Sequence, residues 1–174
     1  MPYKTPAMTT QRNIILEAIQ IEQKIKRIAY QIYENNSNEK EIILAGIAKN
    51  GYVFANKIGI ALQEISSIKV TMCEVVIDKK NLLLPITTSI ASEEYKNKSL
   101  VLIDDVLNSG GTLIYCIKHF LEVPLKRFKT AVLVNRNHKK YPVKADFKGI
   151  SLSTTLQEHV AVDFSNNDAI AYLV

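Results

Sequence analysis

The most constraining stretch of the sequence is Ser99–Thr112, which joins an apolar run, two acids and a glycine-rich turn. Leu100–Ile103 is apolar without alternation, which is typical of a strand buried on both faces of a parallel sheet. Asp104 and Asp105 follow, where we expect the strand to end. The turn after them is Asn108-Ser109-Gly110-Gly111-Thr112. This order of parts predicts ligand chemistry at the carboxyl edge of a sheet.

The glycine-rich turn is predicted to lead into a helix over residues 113–121, which makes it a natural seat for a phosphate. Ser109 and Thr112 can add hydroxyl donors, while Asp104 and Asp105 can accept hydrogen bonds from sugar hydroxyls, directly or through a metal. No lysine follows the glycines and no GxGxxG is present, so the Walker and Rossmann patterns both fail. The residues therefore indicate a sugar-phosphate site of another kind.

Residues 100–112 resemble, position by position, the phosphoribosyl diphosphate (PRPP) signature of the type I phosphoribosyltransferases. That signature is four apolar residues, two acids, two apolar residues, a variable position, Thr or Ser, Gly, a variable position and Thr. The resemblance implies an α/β fold: a mostly parallel twisted sheet flanked by helices, with a small hood and a flexible loop. It also implies Mg²⁺, PRPP with a nucleobase or nucleotide, and a homodimer or higher homo-oligomer. An ordinary strand–turn–helix is the alternative.

A second turn, Gly46–Gly51, leads from a predicted strand at residues 41–45 into a helix predicted over 52–65. Taken alone, this turn fits a plain connector as well as an anion site. The resemblance implies that it is the pyrophosphate-binding loop, formed by Ala48, Lys49, Asn50 and Gly51. The family also has a lid over the reacting PRPP. Here Lys79 stands where a lid arginine is expected and is predicted to be catalytic, and residues 87–98 are predicted to be a mobile surface segment.

Residues 135–149 narrow the resemblance to the bifunctional pyrimidine-operon attenuators with uracil phosphoribosyltransferase activity. In that group a strand ends in an Arg-x-His turn followed by basic residues, and the likeness implies base contacts for Arg136 and His138. An RNA-binding face is possible, but a solvated basic loop is the simpler interpretation, so RNA binding is not favoured. The lysines concerned are Lys139, Lys140, Lys144 and Lys148.

Besides Lys79, four positions depart from the family pattern. Gly111 stands where close relatives usually carry arginine, and Asn108 where they carry an aromatic residue. Ala48 and Asn50 occupy positions that are commonly arginine. Each lost guanidinium removes a bidentate contact with phosphate. The sequence therefore leaves three functions open: a phosphoribosyltransferase acting on a pyrimidine, a non-catalytic PRPP or nucleotide sensor, and an RNA-binding regulator.

Composition and periodicity complete the prediction. The 174 residues, 47% of them hydrophobic, suggest one domain over 1–174, and the net charge of +5 suits a phosphorylated substrate. Cys73 and Cys116 lack metal spacing, and no signal peptide or membrane span is predicted, so we expect a reduced, cytoplasmic setting. A helix is predicted over residues 11–34, and strands over 69–78, 126–135, 160–164 and 169–173.

Overall fold

The computed structural model describes residues 12–165 and 167–174. In chain order the elements are β1 (Asn13–Leu16), α1 (Ala18–Asn35), β2 (Glu41–Ile47), α2 (Asn50–Ile65), β3 (Lys69–Val76), β4 (Thr87–Thr88), α3 (Ser92–Tyr95), β5 (Ser99–Leu107), α4 (Gly111–Phe120), β6 (Arg127–Arg136), β7 (Phe147–Leu152), β8 (Val160–Asp163) and β9 (Ile170–Leu173). Six strands form the main sheet in the order β4-β3-β2-β5-β6-β7, and only β4 runs antiparallel to its neighbour. The predicted α/β class is confirmed.

Alternate residues of the central strands are buried in two different layers. Ile42 and Leu44 of β2 face a cluster built with α1 and α2, while Ile43 and Ala45 face a cluster built with α3 and α4. The same division holds along residues 100–103 of β5 and 131–133 of β6. Burial on both faces explains why these strands show no polar alternation in the sequence.

A second, three-stranded antiparallel sheet has the order β1-β9-β8, and we call it the hood. Its first strand corrects the helix predicted over residues 11–34: Asn13–Leu16 pair with β9, and α1 begins only at Ala18. Gln11 lies outside the described residues. The side-chain oxygen of Gln20 accepts the backbone N–H of Glu17 at 2.9 Å, which marks the start of the helix. Long-range pairing of the apolar run in β1 therefore overrides its helical spacing.

One strand boundary needs correction, and one predicted loop contains regular structure. β5 continues through Asp104 and Asp105 to Leu107, because Val106 still pairs with Val134 of the longer strand β6. The segment predicted as mobile, residues 87–98, contains β4 and α3. Tyr95 within it is 3% exposed, and its ring packs edge-to-face against Phe120 with centroids 5.1 Å apart. Within the described ranges, no helix has the length and hydropathy needed to cross a bilayer.

Candidate functional site

The acid pair lies within β5, close to its carboxyl end and therefore at the carboxyl edge of the main sheet. Asp104 is only 5% exposed, and one of its oxygens, Oδ1, accepts the backbone N–H of Asp105 at 2.9 Å. Oδ1 of Asp105 in turn accepts the N–H of Val106 at 2.9 Å. Each carboxylate is therefore oriented by the backbone N–H of the residue that follows it.

The environment of Asp104 disfavours its ionised form. Burial raises the pKa of Asp104 well above its ordinary value, the neighbouring charge of Asp105 raises it further, and the ammonium of Lys79 offsets part of this rise. A hydroxyl donor or a divalent cation bound beside Asp104 and Asp105 would reduce the electrostatic repulsion between the two carboxylates. Oxygen ligands of this kind suit Mg²⁺, so the residues present fit the metal that the resemblance implies.

The phosphate turn, which we define as residues 108–112, opens α4 with Gly110 in a left-handed conformation at φ 87°. A β-carbon at Gly110 would lie 2.5 Å from Cγ2 of Val143, so only glycine fits there. The carbonyl of Ser109 accepts the backbone N–H groups of Lys140 and Tyr141 at 2.8 and 3.0 Å. The basic segment that follows β6 is therefore hydrogen-bonded to the phosphate turn through its backbone.

One cavity of about 220 Å³ gathers the predicted PRPP-binding residues. Its walls are Lys79, Asp104, Asp105, the chain from Val106 through the phosphate turn to Leu113, Val132, and Val160 of the hood. Sequence reasoning missed Val160, because nothing in the sequence indicates that a strand near the carboxyl terminus folds over this edge. The acid pair, the phosphate turn and Lys79 therefore line the same cavity.

The predicted pyrophosphate-binding loop meets the acid pair from the neighbouring strand. The Ala48–Lys49 peptide bond is cis, and Lys49 is exposed. The side-chain amide of Asn50 donates to Oδ2 of Asp105 at 3.2 Å and to the carbonyl of Val162 at 2.8 Å. A β-carbon on Gly51 would lie 2.8 Å from Oδ1 of Asp104. This loop thus contacts both the acids and the hood.

The two residues predicted to contact the base lie beyond the phosphate turn. Arg136 is 5% exposed, and its guanidinium donates hydrogen bonds to Asn108 and to residues 154–158. His138 is exposed, and its Nε2 contacts the carbonyl of Thr154. Both side chains therefore engage the protein itself, an arrangement that no local sequence pattern signals.

The remaining sequence-predicted groups lie outside the cavity. Lys139, Lys140, Lys144 and Lys148 are all exposed. Cys73 and Cys116 are buried free thiols, and burial raises the pKa of Cys73 to about 11 and that of Cys116 to about 12. They are therefore core residues of low reactivity.

Comparison with known proteins gives sequence relatives and structural neighbours. A family profile described as "Phosphoribosyl transferase domain" matches residues 11–167. The "Bifunctional protein PyrR" of Macrococcus caseolyticus is 31% identical over 160 residues, covering 87% of this chain and 91% of that protein. The protein of the same name from Streptococcus agalactiae is 29% identical over 162 residues, covering 90% and 92%.

The structural neighbours are more distant in sequence. A hypoxanthine-guanine phosphoribosyltransferase of Bacillus anthracis superposes with a TM-score of 0.75 at 20% identity, covering 94% of this chain and 97% of that one. The hypoxanthine phosphoribosyltransferase of Trypanosoma cruzi gives 0.76 at 16% identity, with 91% and 95% covered. At such identities the likeness establishes the shared fold.

Proposed function

The chain belongs to the phosphoribosyl transferase family, and on that premise we propose that it transfers the phosphoribosyl group of Mg-PRPP to uracil or another pyrimidine, releasing pyrophosphate. The observation that carries the proposal is the convergence of the acid pair, the phosphate turn and Lys79 on one cavity. The choice of a pyrimidine rests on the likeness of residues 135–149 to the pyrimidine-operon attenuators and on the relatives named PyrR.

The phosphate turn is suited to the 5′-phosphate of PRPP. Its backbone N–H groups lie at the start of α4, where the helix dipole favours an anion. Oγ of Ser109 already accepts the N–H of Gly111 at 3.3 Å, so its own hydroxyl proton is available to a phosphate oxygen. Thr112, half-buried in the first turn of α4, offers a second hydroxyl.

Asp104 and Asp105 are suited to the ribose hydroxyls, which donate to the carboxylates and offset their mutual repulsion. Mg²⁺ bound through water to these acids would supply positive charge to the sugar and pyrophosphate oxygens. The acids orient the ribose while the phosphate turn fixes its other end. The reacting carbon, C1, is thereby held between two fixed anchors.

The transfer breaks the bond between C1 and the pyrophosphate oxygen and forms one between C1 and a nitrogen of the base, which loses its proton to solvent. Lys79 and Lys49 provide positive charge near the departing pyrophosphate. The hood, which brings Val160 to the cavity wall, limits the access of water to C1. Positioning and charge account for catalysis without a covalent intermediate.

The decisive experiment measures pyrophosphate release from Mg-PRPP with each nucleobase in turn. We expect release with uracil, while release with a purine alone would contradict the pyrimidine assignment. Replacing both acids, Asp104→Asn with Asp105→Asn, should reduce turnover at least about a hundredfold, since two charge-assisted contacts are lost. The exposed aspartate in Asp168→Asn provides the control. Unchanged turnover in the double variant would refute the site.

A second candidate function is a non-catalytic sensor of PRPP or nucleotide. Asn50 favours it, because its amide donors are used on Asp105 and Val162 and do not face a departing pyrophosphate. Ala48 adds no charge to the same loop. Tight binding of uridine monophosphate together with no pyrophosphate release from any base would support the sensor. In that case Asn50→Arg should not raise turnover.

RNA binding is the third possibility, and the exposed lysines at 139, 140, 144 and 148 are the observation that supports it. Titration with a pyrimidine-leader RNA tests it. Nanomolar affinity that falls steeply between 50 and 200 mM salt, by a factor of about 10³ or more for six phosphate contacts, would establish it. Weak binding that is equal for unrelated RNA would leave the lysines as a solvated surface.

A further inference from the structure

The side chain of Arg136 contacts two segments that are distant from each other in the sequence. Its Nη1 donates to Oδ1 of Asn108 at 2.9 Å, in the phosphate turn. Its Nε donates to Oγ1 of Thr154 at 2.9 Å, and its Nη2 reaches the carbonyls of Thr155 and Glu158. Residues 154–158 lead directly into β8 of the hood. One guanidinium therefore bridges the phosphate turn and the entrance to the hood.

The charge of Arg136 makes this bridge unusual. The guanidinium stays protonated at any physiological pH and is almost fully buried. Among the described residues its hydrogen-bond acceptors are an amide, a hydroxyl and backbone carbonyls, and no carboxylate forms a salt bridge with it. The carboxylate of Glu158 is near enough to interact with it, since hydrogen bonds from Thr155 and the charge of Arg136 both lower the pKa of Glu158. A buried cation whose counter-charge is not in hydrogen-bond contact is still costly. An anion seated on the adjacent phosphate turn reduces that cost.

The bridge also fixes the side chain of Asn108. Arginine has donors only, so it is met by Oδ1 of Asn108, and the NH₂ group of the amide must lie on the opposite side. Asn108 is exposed and lines the cavity. Its amide donors are thereby held ready for an oxygen atom of a ligand in that cavity. Residue 111 of the same turn is glycine and carries no charged side chain, so the hydrogen-bonded pair Asn108–Arg136 provides polar groups there.

We propose that Arg136 is a positioning residue that acts through Asn108, holding the phosphate turn in its ligand-binding form and coupling its occupancy to the hood. This inference rests on the proposed function, since it takes the 5′-phosphate of a ribose as the ligand of the turn. It differs from base recognition, because the guanidinium acts through its hydrogen bond to Asn108. It predicts that substitutions at the two ends of the bridge are not independent.

A double-mutant cycle tests the coupling with ribose 5-phosphate as the probe, its Kd measured by calorimetry. Arg136→Lys keeps the positive charge but loses the planar set of guanidinium donors. Asn108→Ala removes the amide that accepts one of their hydrogen bonds. We expect each to weaken binding about tenfold, the factor for one hydrogen bond to a charged group. The double variant should bind no more weakly than Asn108→Ala alone. A hundredfold, multiplicative loss would overturn the proposal.

Hydrogen exchange gives a second readout that needs no ligand. The backbone amides of residues 109–112 should exchange at least several-fold faster in Arg136→Lys and in Asn108→Ala. The matched control is Asn137→Ala, which removes a 2.7 Å hydrogen bond from the next residue to Ser153 without touching the turn. Asn108→Ala lies at the exposed end of the bridge, so it remains informative if the arginine variant fails to fold. Unchanged exchange in Asn108→Ala would overturn the bridge.

The two experiments separate the possible failures. If the wild-type protein does not bind ribose 5-phosphate, the proposed function is wrong, and the coupling to ligand falls with it. If the wild-type protein binds it and the effects of the two variants multiply, the proposed function stands and the role of Arg136 is refuted. Faster exchange at the turn in both variants, and also at residues 154–158 in Arg136→Lys, together with non-multiplicative affinities, supports both.

Discussion

Replacing Asp104 by asparagine should make the protein more stable and less active at neutral pH. Burial and the charge of Asp105 raise the pKa of Asp104, so its ionised form destabilises the folded state. Asparagine has almost the same shape, and its oxygen can still accept the N–H of Asp105, which lies 2.9 Å from Oδ1. The variant therefore keeps the acceptor for this N–H and replaces the other, charged oxygen by a neutral NH₂ group.

The sign and size of the effect follow from proton linkage. Above the ordinary aspartate pKa of 3.8 the unfolded chain loses this proton first, so the wild-type protein loses stability as the pH rises towards the raised pKa of the folded state. The loss is about 1.4 kcal/mol per pH unit within that window. For a chain of this length that corresponds to about 3–5 °C in Tm per pH unit. Asp104→Asn lacks this dependence.

Thermal denaturation of both proteins between pH 5 and pH 8, without Mg²⁺ or ligand, measures the difference. We expect the Tm of Asp104→Asn to exceed that of the wild type by an amount that grows with pH until the folded pKa is passed. Asp168→Asn, at an exposed site, should show no such trend. A Tm advantage independent of pH, or a variant less stable at pH 8, would refute the argument that the buried charge is unfavourable.

Three further outcomes follow from contacts in and beneath the site. Gly51→Ala should lower the free energy of unfolding by about 1–3 kcal/mol in urea, because its β-carbon would lie 2.9 Å from Cα of Asp104. Gly59→Ala, whose β-carbon would lie 3.3 Å from the flexible sulfur of Met72 and at ordinary contact distance from Leu44 and Val70, should be neutral or slightly stabilising. Gly110→Ala should cost at least about 1–2 kcal/mol from its left-handed backbone alone, and ribose 5-phosphate affinity should fall with it. The raised pKa of both thiols, about 11 for Cys73 and about 12 for Cys116, predicts no reaction with a thiol reagent at pH 8 until urea unfolds the chain; immediate labelling of the native protein would contradict their burial.

The sequence predicted the centre of the fold best, because strand, acids, turn and helix are consecutive there. Their order along the chain alone places Asp104, Asp105 and the phosphate turn at one sheet edge. The β5 boundary was predicted too early, since polar residues inside a strand look like its end unless the length of the partner strand is known. The same limit applies to residues 13–16, where pairing with β9 decides between helix and strand.

Contacts between distant segments could not be predicted. Asn50 meets Asp105 across 55 positions of sequence, and Arg136 meets Asn108 across 28. A polar residue in a turn shows no sign of whether it will face solvent, a ligand or another loop. The sequence resemblance implied a base contact for Arg136, which stays a prediction, but nothing in the sequence indicated its buried hydrogen bond to the phosphate turn.

The same two side chains bear on how the proposed site can work without the arginines that the family resemblance implies. Asn50 ties the pyrophosphate loop to Val162 of β8, and Arg136 ties the phosphate turn to the carbonyl of Glu158 just before β8. Both halves of the proposed PRPP site are therefore tied to β8 or to the residues just before it. Less charge is available to stabilise pyrophosphate, but less conformational freedom is lost on binding. Restoring charge with Asn50→Arg breaks one of these ties, so the expected gain in charge stabilisation is opposed by a looser hood.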